Sequence, residues 1–164
     1  MKEAPVQGDA MRKEGQAVVK EMSDLYDLYV KVHKTLHQMV DGLSDEQWLK
    51  KPADNFNNIA SIVEHTLLVE RRFFAQLKGE SVDIDARAPF VATSWDVDKI
   101  KSMWAENEQL AKDAFESLSP EELEEPGAKL GVGEVNKRQL AAYAIAHTAH
   151  HRGQIPLVKK MLGI

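Results

Sequence analysis

The sequence predicts an all-α protein built as a four-helix bundle. Three observations carry this expectation. Four long segments repeat apolar residues at steps of three and four, the period of an amphipathic helix. No segment shows strand alternation strong enough to assign. A long stretch of weak periodicity separates the second long segment from the third, as a bundle with one crossover connection requires.

The elements follow in order. Residues 1–15 carry Pro5, Gly8 and Gly15 and read as a loose tail, leaving 16–164 as a single domain. The first helix runs from about Gln16 to Asp41, with Leu25, Leu28, Tyr29, Val32, Leu36, Met39, Val40 and Leu43 in one stripe and Gly42 as its stop. Ser44-Asp45-Glu46-Gln47 is a capping box that opens a short helix closed by Pro52. Asn58 caps the second long helix, which runs to Leu77 and ends at Gly79. Residues 80–93 read as a long crossover loop. Ser94 is expected to cap the third helix, about Trp95 to Leu118, with Ile100, Met103, Trp104, Leu110, Ala111, Ala114 and Phe115 inward. Ser119-Pro120 is a further start signal, and Pro126, Gly127, Gly131 and Gly133 predict a second loop. Asn136 caps the fourth helix, about Lys137 to Met161.

Composition narrows the function. At 164 residues, with 43% hydrophobic and 29% charged side chains, the chain suits one globular domain. The net charge of -5 argues against nucleic acid, which favours a basic patch. No apolar run is long enough to span a bilayer, and Met1 to Gln16 lacks a signal-peptide core, so a cytoplasmic location is expected. The absence of cysteine excludes disulfides, thiolate ligands and a cysteine nucleophile. A metal here has only His, Asp, Glu or water to bind it.

The histidines are the chemical signal. His147 and His151 stand four apart in the fourth helix and so share one face. On a wheel of about 100° per residue they fall within roughly 20° of the apolar centre set by Leu140, Tyr143, Ala144, Ile155, Val158, Met161 and Leu162. Gln154 also faces inward, and His150 lies roughly 80° to one side. Two buried imidazoles need partners. Either a metal ion or carboxylates and carbonyls would satisfy them. His65, on the second long helix, is a candidate third ligand, although it lies roughly 110° from that helix's apolar centre. His33 and His37 form a competing pair, roughly 80° and 120° from the apolar centre of the first helix. That places His37 in solvent and His33 on a flank where it could line a pocket. Glu64, Glu70 and Glu106 are candidate carboxylates for orienting an imidazole or serving as a base.

Ser61-Ile62-Val63-Glu64-His65 and His147…His151-Arg152-Gly153-Gln154 together resemble the DinB-like superfamily, over most of the chain. The resemblance implies an up-down-down-up four-helix bundle with its long connection between the second and third helices. It implies a divalent metal, zinc or nickel, on His65, His147 and His151, with water in the open positions. It also implies a homodimer. Characterised members include thiol transferases that use bacillithiol or mycothiol. The first expectation is therefore a metal-dependent transferase that activates a low-molecular-weight thiol for attack on an electrophilic small molecule. His150, Arg152 and Gln154 would position the reactants, and Arg71, Arg72, Arg87 and Arg152 could anchor a polar moiety or simply be surface arginines. Metal-dependent hydrolysis is the alternative, with Glu64 or Glu106 as base. A stress-related binding protein without catalysis is the third reading.

Overall fold

The computed structural model describes residues 17–164, so the expected tail over 1–15 lies outside the described residues; residues 17–19 are not helical, and the first helix begins at Lys20 rather than at about Gln16. The chain order is α1 (Lys20–Val40), α2 (Asp45–Leu49), α3 (Ile59–Leu77), α4 (Ala88–Val91), α5 (Val97–Glu116), a 3-10 turn (Glu122–Glu124), β1 (Pro126–Leu130), β2 (Gly133–Asn136) and α6 (Lys137–Leu162). The four long helices are those the periodicity predicts. No helix among the described residues is long and apolar enough to cross a membrane.

Side-chain contacts set the helix directions. Arg138, at the start of α6, reaches Glu21 at the start of α1 at 3.0 Å. Lys159, near the end of α6, donates to the Met39 carbonyl near the end of α1 at 2.8 Å. These two helices therefore run parallel. Phe73 meets Tyr143 while His65 meets His151, so α3 runs antiparallel to α6. His33 meets Glu108 while His37 meets Trp104, which makes α5 antiparallel to α1. The result is up-down-down-up. The helices α3 and α5 are neighbours, and each of the pairs α1–α6, α3–α6 and α1–α5 also packs together.

The buried apolar residues form two clusters. One centres on Tyr29, Phe73, Phe74 and Phe115, the other on Leu36, Trp48, Ile59, Ile100 and Ile155. At their junction each long helix contributes one buried polar residue: His33, Glu70, Asn107 and Thr148. The Glu70 carboxylate accepts from Tyr29 Oη at 3.0 Å, Asn107 Nδ2 at 2.8 Å and Thr148 Oγ1 at 2.7 Å. His33 Nε2 lies 3.5 Å from Glu70 Oε2, an ion-pair contact longer than a good hydrogen bond. Its Nδ1 lies 3.2 Å from Glu108 Oε1. Burial opposes the His33 cation, but Glu70 and then Glu108 outweigh it and raise its pKa. Burial likewise opposes the Glu70 anion, yet His33, Asn107 and Thr148 prevail and lower its pKa.

Several local expectations are corrected. The helix α5 is capped by Asp96, whose carboxylate accepts from the Lys99 amide at 3.0 Å, and not by Ser94. Leu110 is exposed, and Asn107 takes the inward position instead. Met161 is also exposed. His33 is fully buried rather than flanking, because it is a member of the Glu70 network. The crossover carries the short helix α4, and Ser119-Pro120 starts only a single 3-10 turn. The expected second loop is an antiparallel hairpin pairing Leu130 with Gly133 and Lys129 with Glu134. Its backbone demands glycine twice. Gly133 has φ +114, and a Cβ on Gly127 would sit 2.8 Å from the Asn136 carbonyl oxygen.

Removing one partner of this network strands the others in the core. Glu70→Ala is expected to lower unfolding free energy by about 3–5 kcal/mol, against about 1–2 kcal/mol for Thr148→Val, read by urea denaturation. The pH dependence has a defined sign. The His33 contribution is complete below its ordinary value of 6.5 and lost as pH rises through its raised folded value. The Glu70 contribution is complete above 4.5 and lost as pH falls through its lowered one. The stability difference between wild type and His33→Asn should therefore be largest between these limits and shrink on the alkaline side.

Candidate metal centre

Three imidazoles converge between α3 and α6. A ligand nitrogen from each of His65, His147 and His151 lies within 4.8 Å of the other two, an arrangement that could hold a metal ion. The Nε2 atoms of His147 and His151 are 3.2 Å apart. Two nitrogens bound to one ion at about 2.0–2.1 Å, at tetrahedral to octahedral angles, are separated by about 2.9–3.4 Å. The local reason is the four-residue step, which stacks the two rings on one face of α6 with centroids 4.5 Å apart.

Neighbouring groups select the tautomers. His65 Nδ1 donates to the Ala86 carbonyl at 2.5 Å, which leaves the Nε2 lone pair free. His151 Nδ1 donates to Gln154 Oε1 at 2.9 Å, with the same consequence. The rings are also held neutral. Burial, and after it the charges of His151 and His65, push His147 down to about 3. Burial is again the main cause for His151, which is pushed down to about 4. For His65, burial and then the charges of Arg72 and Arg87 lower the pKa against the pull of Ala86. Neutral imidazoles with free Nε2 lone pairs are the form that binds a divalent ion. The donor set fits such an ion.

His65 lay off the apolar centre of its helix, yet it is buried. The cover comes from the crossover: the Phe90 ring sits 4.4 Å from its ring, and the Ala86 carbonyl accepts the hydrogen bond from its ring N–H. Of the remaining candidates, Gln154 bonds His151 directly, and exposed His150 packs edge-on to His151 at 4.8 Å. Arg152 is half-buried. Glu64 is half-buried and feels Lys99 and Asp96, toward α5. Glu106 is held by Arg71 Nη2 at 2.5 Å. His33 belongs to the Glu70 network and stands apart from the three-histidine group. A cleft of about 290 Å³ opens beside His65 and His147, and no carboxylate lines it. Tyr143 and Lys129 line it, and neither was singled out in the sequence as a site residue. Lys129 carried no signal, because it lies in a segment without periodicity.

Fold and site together define a helical-bundle protein with a three-histidine group that could hold a metal. A family model of the DinB superfamily matches residues 28–155, and the chain belongs to that superfamily. Solved structures agree in fold. A conserved protein from Enterococcus faecalis is 13% identical at a TM-score of 0.70, covering 89% of this chain and 99% of that one. YfiT from Bacillus subtilis, described as a probable metal-dependent hydrolase with an unusual four-helix bundle topology, is 15% identical at 0.69, covering 92% and 93%. The DinB-like protein YjoA from Bacillus subtilis is 17% identical at 0.64, covering 86% and 93%. No curated protein matches the chain significantly.

The Gln154 contact generates a test. Gln154→Leu should weaken zinc binding by about 10–100-fold through loss of ring orientation, while leaving the fold intact, as read by chelator competition and circular dichroism.

Proposed function

We propose that this chain is a metal-dependent transferase that activates a low-molecular-weight thiol for attack on an electrophile. His65, His147 and His151 would hold a divalent ion, zinc or nickel. The observation that carries this reading is the convergence of three neutral imidazoles with no carboxylate in the group or in the adjoining cleft. When bound, such an ion retains its full double charge and supplies a Lewis acid that favours the thiolate.

The chain's own residues do the rest. Ala86 and Gln154 orient two of the rings, and Phe73 and Phe90 shield the histidine group from water. The thiol gives its proton to solvent, its sulfur bonds to the electrophilic carbon, and the leaving group departs with its bonding pair. A thiol needs less help from a base than water does, since its pKa lies near 8–9. That suits a cleft without a carboxylate, since Glu64 and Glu106 do not line it and Glu106 is paired with Arg71. The sulfur must come from a cofactor, because the chain has no cysteine. In this reading residues 16–164 act as a single cytoplasmic domain, a homodimer, on a small-molecule substrate. A second reading draws on YfiT, described as a probable metal-dependent hydrolase. There water takes the place of the thiol.

The test is metal content followed by turnover. Wild type should bind about one equivalent of zinc or nickel, and His65→Ala, His147→Ala and His151→Ala should each lose it. Loaded protein should couple bacillithiol, mycothiol or glutathione to an epoxide or halogenated arene, and chelation should abolish the reaction. Ester hydrolysis without any thiol would favour the second reading. Failure to take up metal would sink both.

A further inference from the structure

We propose that the cleft beside the histidines is an anion-binding subsite, in which Arg72, Arg87 and Lys129 take the two negative charges of a small dicarboxylate- or phosphate-bearing ligand. The inference rests on the proposed transfer reaction in one respect: the anion is taken to be part of the molecule presented to the three-histidine centre. Both features share one cavity, since His65 and His147 line the same cleft of about 290 Å³.

The three cations come from three different segments. Arg72 is half-buried on α3, Arg87 precedes α4 in the crossover, and Lys129 stands on β1 of the hairpin. Separate pieces of chain thus aim positive charge at one volume. Among the described residues, none of the three has an ion-pair partner. Arg71, Lys137 and Arg138, by contrast, are each paired with glutamate. No Asp or Glu lines the cleft to neutralise the group internally.

The chemistry selects the ligand. Guanidinium forks match the paired oxygens of carboxylate and phosphate, and lysine adds a compact charge. Tyr143 also lines the cleft, and its phenol can donate a hydrogen bond. A single negative charge would leave two of the three cations uncompensated, so a dianion fits better. The volume is at the lower end for ligand pockets, so it accommodates the acidic end of a molecule whose reactive atom lies toward the histidines.

The experiment is calorimetric titration of the full chain, metal-free and zinc-loaded, with succinate, inorganic phosphate and the neutral diamide of succinate at low salt. Zinc uptake is measured separately. One of the two anions should bind the metal-free protein, weaken as salt rises, and lose at least tenfold in affinity in R72Q/R87Q and in K129Q. The diamide should not bind. Helicity and zinc stoichiometry should stay unchanged in the variants. The tighter of succinate and phosphate identifies the acidic group. No binding of either anion, or affinity unchanged in R72Q/R87Q, would overturn the subsite even if zinc binds at one equivalent. Arginine-dependent anion binding by a protein that takes up no zinc would uphold the subsite and sink the metal reading instead.

Discussion

The fully buried carboxylate of Glu70 limits how the four long helices can pack. A carboxylate removed from water costs several kcal/mol unless its oxygens are met by donors and an opposite charge. Here α1 supplies Tyr29 and His33, α5 supplies Asn107 and α6 supplies Thr148. Apolar side chains tolerate sliding more readily than a hydrogen bond does. Turning any helix by one residue rotates its donor by about 100° and leaves the carboxylate short. The network therefore ties the rotation of each helix to the others. Asn107 extends it, donating also to the Leu67 carbonyl and accepting from Arg71 Nε at 2.7 Å.

The candidate metal centre inherits that register. Thr148 adjoins His147 in sequence, so the hydrogen bond that holds Thr148 against Glu70 also sets the rotation at which His147 and His151 leave α6. On α3, Glu70 and His65 are five residues apart, and the same constraint orients His65 toward them. The three rings then meet because α3 and α6 run antiparallel as neighbours. Their neutrality follows from burial, which disfavours the imidazolium, and from mutual repulsion if more than one were protonated. The polar layer and the histidine group divide the buried titratable groups by role. The first holds a charge pair for structure, and the second groups three uncharged imidazoles that could hold a metal ion.

The two irregular connections complete the site. The crossover places Ala86 on His65 Nδ1, stacks Phe90 on the ring and brings Arg87 to the cleft. The hairpin adds Lys129, Leu130 and Gly131 to the cleft lining. Helices alone would leave His65 open on one flank. The bundle acts as the frame, and the segments of lowest periodicity decide how enclosed and how charged the centre is.

The amino-acid sequence by itself determined the four long helices, most of their caps and the inward aim of His147 and His151. Periodicity, capping boxes and a four-residue step are local, and each is written within one helix. The hairpin was not legible, since Pro126–Leu130 alternates poorly and pairs across a turn only because it packs against α6 and α3. His33 misled for a related reason. A wheel registers it as a flank residue, but its burial is compensated by Glu70, a residue 37 positions on in the chain. His65 was off the apolar face of its own helix, and the family resemblance, not the wheel, pointed to it. Only the tertiary structure decided that it is buried, neutral and facing the other two rings, because its cover and hydrogen-bond partner come from a segment about 20 residues away that no local pattern on α3 records.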